Sequence, residues 1–226
     1  MSTTADETRL EPDDAAGDVE PLEDRWAGTE HQRAGGASRG YGLLLVVTGV
    51  LGAFAAAMLT IEYIHKLKDP DATLICDINP FLTCGAFLGS PQASAFGFPN
   101  VVIGMLAFPV VVATGALLLG GVRLPRWYWR GLLGGTLFGI GFVTWLQYQA
   151  LFSIRAICPW CALVWAVMIP LFVHTVARST QNGALPAGSG LRALLVQYRW
   201  VLTALWWLLV VAVALIALAD RWSSLL

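Results

Sequence analysis

Five stretches of this chain are long, apolar and free of charge, and nothing else in it constrains folding as strongly. Residues 41–61, 98–120, 131–154, 158–176 and 200–219 hold no Asp, Glu, Lys or Arg. Each approaches the ~20 residues that a helix needs to cross the hydrocarbon core of a bilayer. In lipid a backbone must satisfy its own polar groups, so runs of this kind become helices. The stretch 78–122 is charge-free throughout, but its first part contains Asn79, Pro80, Thr83, Ser90, Pro91, Gln92 and Ser94. It therefore divides into a polar loop and a span. The predicted fold is an all-α integral membrane protein. It has five transmembrane helices and an extracytoplasmic loop bearing a short amphipathic helix within 80–90. Only 13% of residues are charged and 57% are hydrophobic, against ~25% charged in soluble domains. That balance argues against a soluble enzyme and against a nucleic-acid partner.

Charge is unevenly placed. Ten of the fifteen acidic residues lie in the first forty positions. Residues 1–40 are acidic and non-periodic, which predicts a disordered cytoplasmic tail. The segment lacks the basic start and short apolar run of a secretory signal. Residues 177–226 supply a connector, flexible over 181–190, and the fifth span. Arg123, Arg126 and Arg130 fall between spans two and three; Arg178, Arg192 and Arg199 fall between spans four and five. An excess of Lys and Arg marks cytoplasmic connections, so the N-terminus is expected inside and the C-terminus outside. Trp127, Tyr128, Trp129 and Trp200 read as interfacial anchors. Glu62 and Lys66, spaced i, i+4, read as a solvated end of the first helix. His174 reads as interfacial at the inner end of the fourth.

The same charge counting puts every cysteine on the extracytoplasmic side, where disulfides persist. Cys76 and Cys84 lie in the loop after the first span, and Cys158 and Cys161 at the start of the fourth. None sits mid-span, as inert buried thiols would. No His or acidic ligand supports a four-cysteine zinc site, so no metal is assigned. In Cys158-Pro159-Trp160-Cys161, Pro159 suits the first turn of a helix capped by Cys158. The positive helix end and nearby Arg155 favour thiolate, the attacking form. Two dithiol/disulfide couples in series are indicated. A loop pair can meet a protein thiol, and a pair at the bilayer edge can meet a lipid-soluble acceptor, provided the loop brings its sulfur to the helix pair.

This pattern resembles the vitamin K epoxide reductase family, in its bacterial disulfide-forming branch. The loop pair Cys76…Cys84 precedes a C-x-x-C at the fourth helix, whereas bacterial disulfide-bond-formation B proteins carry the C-x-x-C first. Ser90 stands six residues after Cys84, where the family has Ser or Thr. Asn100-Val101-Val102-Ile103-Gly104 matches a family Asn-x-x-φ-Gly at the second helix. The resemblance covers about residues 41–176 and implies that this span is a catalytic four-helix bundle core, with the acidic leader and the fifth transmembrane helix outside it. It implies that Cys161 reacts with a quinone (menaquinone or ubiquinone), that Cys158 exchanges with Cys84, and that Cys76 meets the partner's thiols. It implies that Asn100 donates a hydrogen bond to a quinone carbonyl; the plainer reading of Asn100 is a helix-start residue beside Pro99. Ser90 is expected near the loop or the quinone. Trp165 stands where vertebrate members carry a tyrosine near the quinone, which puts epoxide chemistry in doubt.

Many bacterial members fuse a thioredoxin-like domain after the fifth helix. The sequence here ends at Leu226, so the expected partner is a separate DsbA-like extracytoplasmic thiol protein at the bacterial plasma membrane, with electrons passing to the quinone pool. The alternatives are quinone or quinone-epoxide reduction as the goal, and a non-catalytic membrane scaffold with structural disulfides.

Overall fold

The computed structural model describes residues 26–71, 73–78 and 82–219. Residues 1–25, together with Asn79, Pro80 and the 220–226 end, lie outside the described residues, so the predicted tail is described only from Trp26 onward. In chain order the helices are α1 (Glu30–Arg33), α2 (Arg39–Lys68), α3 (Gly85–Leu88), α4 (Val101–Leu119), α5 (Arg126–Tyr148), α6 (Pro159–Gln181), α7 (Ser189–Gln197) and α8 (Arg199–Ala217). A 3₁₀ turn covers Pro91–Ser94, and a π-helical turn, Gln149–Ile154, continues α5. Five helices are long and apolar enough to cross a membrane: α2, α4, α5 with its π turn, α6 and α8. The molecule is an all-α, multi-pass membrane protein, with no strand among its described residues.

The tightest pairing is α2 against α4, and small residues allow it. A side chain at Gly115 would stand 2.8 Å from the Gly42 carbonyl oxygen and 2.9 Å from the Val46 amide nitrogen; one at Gly49 would meet the Val112 amide at 3.0 Å. Lipid tails are as apolar as leucine, so close backbone approach and dispersion, rather than expulsion of water, hold such helices together. Leu45, Phe108, Val111, Trp129, Ile140, Met168 and Leu171 form the core between α2, α4, α5 and α6. The fifth span stays at the periphery. Only 6% of its most apolar window is buried, and it leans on α6 through Phe172 and Trp206.

Several local expectations need correction. Residues 26–40, assigned to the tail, pack against the bundle. Thr29 caps α1 with a capping box, Ala27 and Ala37 are buried, and the Arg178 guanidinium donates to the carbonyls of Gln32 and Gly36. Composition alone could not show that a buried cation on α6 needs those carbonyls. Trp129 is no interfacial anchor but a core residue. It is fully buried, its Nε1 donates to Gly35 O at 3.0 Å, and Arg178 stacks over its ring. His174 is likewise buried, edge-on to Trp200. The 181–190 connector is a compact turn. Asn182 is buried, its Oδ1 accepts from Ala184 N, and Leu185 N donates to Ser179 O. The loop helix shrinks to α3 plus the 3₁₀ turn, because Gly89 and Pro91 interrupt it.

Candidate functional site

A short backbone splice fixes the meeting point of the two cysteine pairs. Leu82 bridges Ile157 in parallel sense, and Thr83 N donates to Ile157 O at 3.1 Å. Cys84 directly follows Thr83, and Cys158 directly follows Ile157. Cys84 Sγ and Cys158 Sγ consequently stand 3.0 Å apart, both almost fully buried. Cys76 and Cys84 are joined by a disulfide, while Cys158 and Cys161 are free. Leu59, Leu74 and Leu88 pack around these sulfurs.

One carboxylate organises the loop. Asp77 Oδ1 accepts from Thr83 Oγ1 (2.6 Å), Cys84 N (2.9 Å) and Gly85 N (3.0 Å), and Oδ2 accepts from Leu74 N (3.2 Å). Partial burial works against ionisation of this carboxyl. The four hydrogen bonds to its charged form outweigh that effect and hold it below the usual carboxylate range. Sequence reasoning passed over Asp77, although a lone acid directly after Cys76, before a long neutral stretch, was the available signal.

On the opposing side, α6 begins at Pro159, whose missing N–H costs nothing in a first turn. Cys158 is the cap, and its sulfur accepts from Cys161 N at 3.5 Å. That places it at the helix end that favours negative charge. The chain reaches this cap by an unusual route. The α5 ladder loosens into its π turn, Arg155 adopts a left-handed conformation (φ 59°), and Ala156 N closes back on Ala150 O. A left-handed non-glycine residue costs ~1–3 kcal/mol, and here it aims Ile157 at Leu82.

Cys161 packs against the sulfur cluster. It also lines an apolar cavity of about 450 Å³ between α2, α4, α5 and α6, along with Leu59, Phe87, Asn100, Trp165 and Met168. Size and lining suit a flat, largely apolar ligand with few polar anchors. Cys158 does not line this cavity, so Cys161 is the member of the motif that reaches both the cavity and the other sulfurs. Trp165 forms part of the wall. Asn100 reaches the wall too, but its amide already serves the loop: Nδ2 donates to Gln92 O (2.6 Å) and Oδ1 accepts from Ala95 N (3.2 Å). It makes no helix-capping bond. Ser90 does not line the cavity. Its hydroxyl donates to Phe87 O at 2.7 Å, steadying the residue that does.

Glu62 differs most from its expected setting. It lies on α2 one turn past Leu59, fully buried, and neither carboxylate oxygen has a hydrogen-bond partner. The i, i+4 argument counted only neighbours on its own helix, and Lys66 instead turns to the Pro70 carbonyl.

A comparison with known families gives one match: the profile of the vitamin K epoxide reductase family fits residues 43–176. That span runs from the first turns of α2 almost to the end of α6 and includes all four cysteines. On that match the chain belongs to the vitamin K epoxide reductase family, whose members are quinone-associated oxidoreductases.

Proposed function

We propose that this protein is a quinone-dependent thiol oxidase that reoxidises a separate, DsbA-like extracytoplasmic protein and so drives disulfide formation in exported proteins. The observation that carries the reading is the 3.0 Å contact between Cys84 and Cys158, with Cys161 turned toward the apolar cavity. Two thiols of the partner reduce the loop disulfide, the first attacking Cys76 and releasing Cys84 as thiolate. The Cys84 thiolate then attacks Cys158 of an oxidised helix pair, breaking the Cys158–Cys161 bond and releasing Cys161. Cys76 attacks Cys84 in turn, which re-forms the loop disulfide and frees Cys158. Loop pair joined and helix pair free is the arrangement described above. Closing the Cys158–Cys161 bond again gives up two electrons and two protons on the cavity side. A quinone bound in the cavity would supply the sink for them. Cys161 and the Trp165 wall would hold its ring, and the Asn100 amide, part of whose donor capacity is uncommitted, would lie at its edge.

Cys76 is only 3% exposed, so its exchange with a protein requires the segment around 69–83 to lift. In support of this reading, the Asp77 bonds are internal to the loop, and among the described residues its backbone joins the segment before α6 at the Leu82–Ile157 splice. Arginine-rich connections at the opposite end of the bundle support an extracytoplasmic cysteine end in a bacterial plasma membrane. A scaffold with two structural disulfides is less well served by free thiols at Cys158 and Cys161.

The test is anaerobic mixing of the reduced full chain with menaquinone or ubiquinone analogues. Quinone reduction is expected for the native sequence and absent in Cys161→Ala. When the same variant is instead isolated with its loop disulfide intact, attack of Cys158 on Cys84 breaks the Cys76–Cys84 bond, so Cys158 should be recovered in disulfide linkage to Cys84 with Cys76 released and alkylatable. Failure of both quinones to be reduced by the native protein overturns the proposal.

A further inference from the structure

The end of the bundle farthest from the cysteines contains a second cavity, of about 270 Å³, bounded by the start of α2, the end of α6 and the start of α8. Unlike the cavity beside Cys161, it is lined largely by polar groups, among them Gln32, Tyr41, His174, Arg178 and Arg199. No Asp or Glu is among its described lining residues. Two arginines therefore face one pocket with no carboxylate among the described residues of its wall, an arrangement that costs energy unless an anion shares the space.

The donors are only partly used. Arg178 is 3% exposed, and its Nε and Nη2 donate to the carbonyls of Gln32 and Gly36, but its buried Nη1 has no partner. His174, 5% exposed, has Nε2 buried and unpartnered as well. Arg199 uses Nη1 on Val196 O at 2.8 Å, which leaves the rest of its fork available. Tyr41 OH is engaged with Thr175 Oγ1. Buried polar groups in native proteins are almost always satisfied, so the free Arg178 and His174 nitrogens beside a cavity point to a partner that the described residues do not provide.

We infer that this cavity is an anion site that takes a phosphate group. A guanidinium fork matches tetrahedral oxyanions in geometry as well as charge. The site lies at the ends of three helices long and apolar enough to cross a membrane, with Trp200 60% exposed at its edge, a setting that suits a headgroup. An anionic phospholipid headgroup and free inorganic phosphate share the chemistry. Basic pockets between helix ends are the usual form of headgroup recognition.

The experiment uses the full chain in detergent, with native mass spectrometry and thermal unfolding as readouts. The probes are phosphatidylglycerol, phosphatidylcholine and inorganic phosphate. Retention of phosphatidylglycerol roughly tenfold above phosphatidylcholine, and its loss by about tenfold in Arg199→Gln, identifies a headgroup site. Stabilisation by inorganic phosphate alone, lost in the same variant, identifies a site for the free anion. Arg178→Lys, which keeps the charge but loses the fork, should weaken either ligand while the native unfolding midpoint in phosphatidylcholine reports whether the bundle is intact. If phosphatidylglycerol and phosphatidylcholine are retained equally and phosphate does not move the midpoint, or if Arg199→Gln binds like the native chain, the inference is wrong.

Discussion

The two ends of this bundle solve opposite problems with similar materials. At the cysteine end, a loop braced internally by one carboxylate is joined to the segment before α6 by a two-residue splice, and Cys84 meets Cys158 without a bond. At the other end, Arg178, buried and stacked over Trp129, ties α6 to a segment 142 residues away. The first joins residues 74 positions apart through few bonds and is reversible. The second is long-range and fully enclosed. Where the chemistry needs exchange of partners, the contacts are few and reach backbone groups that could be hydrated instead. Where the helices need a fixed crossing, a cation is committed to the interior, and several carbonyls depend on it.

That contrast can be broken most severely at the sulfurs. Cys158→Ala should abolish quinone reduction and thiol oxidation together, to background in an anaerobic assay, while leaving the unfolding midpoint nearly unchanged. A large stability loss would mean that the contact is structural. Arg178→Leu should do the reverse. Stranding the Gln32 and Gly36 carbonyls and emptying the stack on Trp129 should cost about 3 kcal/mol, seen as a lower chemical-denaturation midpoint, with the residual folded fraction still able to reduce quinone.

Asp77→Asn tests how loosely the loop is tied. Replacing charge-assisted bonds by neutral ones should speed hydrogen exchange at the Cys84 and Gly85 amides by roughly tenfold. The native residue carries a pH signature as well. Because its folded carboxyl titrates below the usual range, its contribution is present at neutral pH and is lost as pH falls through that lowered value. The loop should therefore loosen in acid, and Asp77→Asn should remove that step. The smallest effect belongs to Glu62. Glu62→Met should raise stability by ~1 kcal/mol, since a buried carboxyl without partners is a cost to the fold. An unchanged or lower midpoint would show that a partner satisfies it.

Much of the cysteine end could be read from the sequence because its signals are local: two sulfurs eight residues apart, a C-x-x-C with proline at the first turn, and charge-free runs of membrane length. The five spans were legible for the same reason, to within a few residues at most ends, though α2 continues to Lys68 and α5 begins at Arg126. What stayed hidden depends on partners distant in the chain. Trp129 looks like an interfacial aromatic until Gly35 and Arg178 are placed beside it. The 26–40 segment looks like more acidic tail until its carbonyls are seen to receive a guanidinium. Glu62 looks solvated because periodicity along one helix cannot say which face the rest of the bundle covers. Asp77 is the exception: its donors lie within eight residues, and only the neutrality of its surroundings hinted that it mattered.

The Leu82–Ile157 pairing acts as a gauge of chain length. Substitutions in the cavity wall change the shape of a pocket, but a single residue inserted between Thr83 and Cys84, or between Ile157 and Cys158, would slide one sulfur past the other while leaving every helix in place. Such a protein would fold, span the bilayer and hold its acceptor, and still be electrically open-circuit.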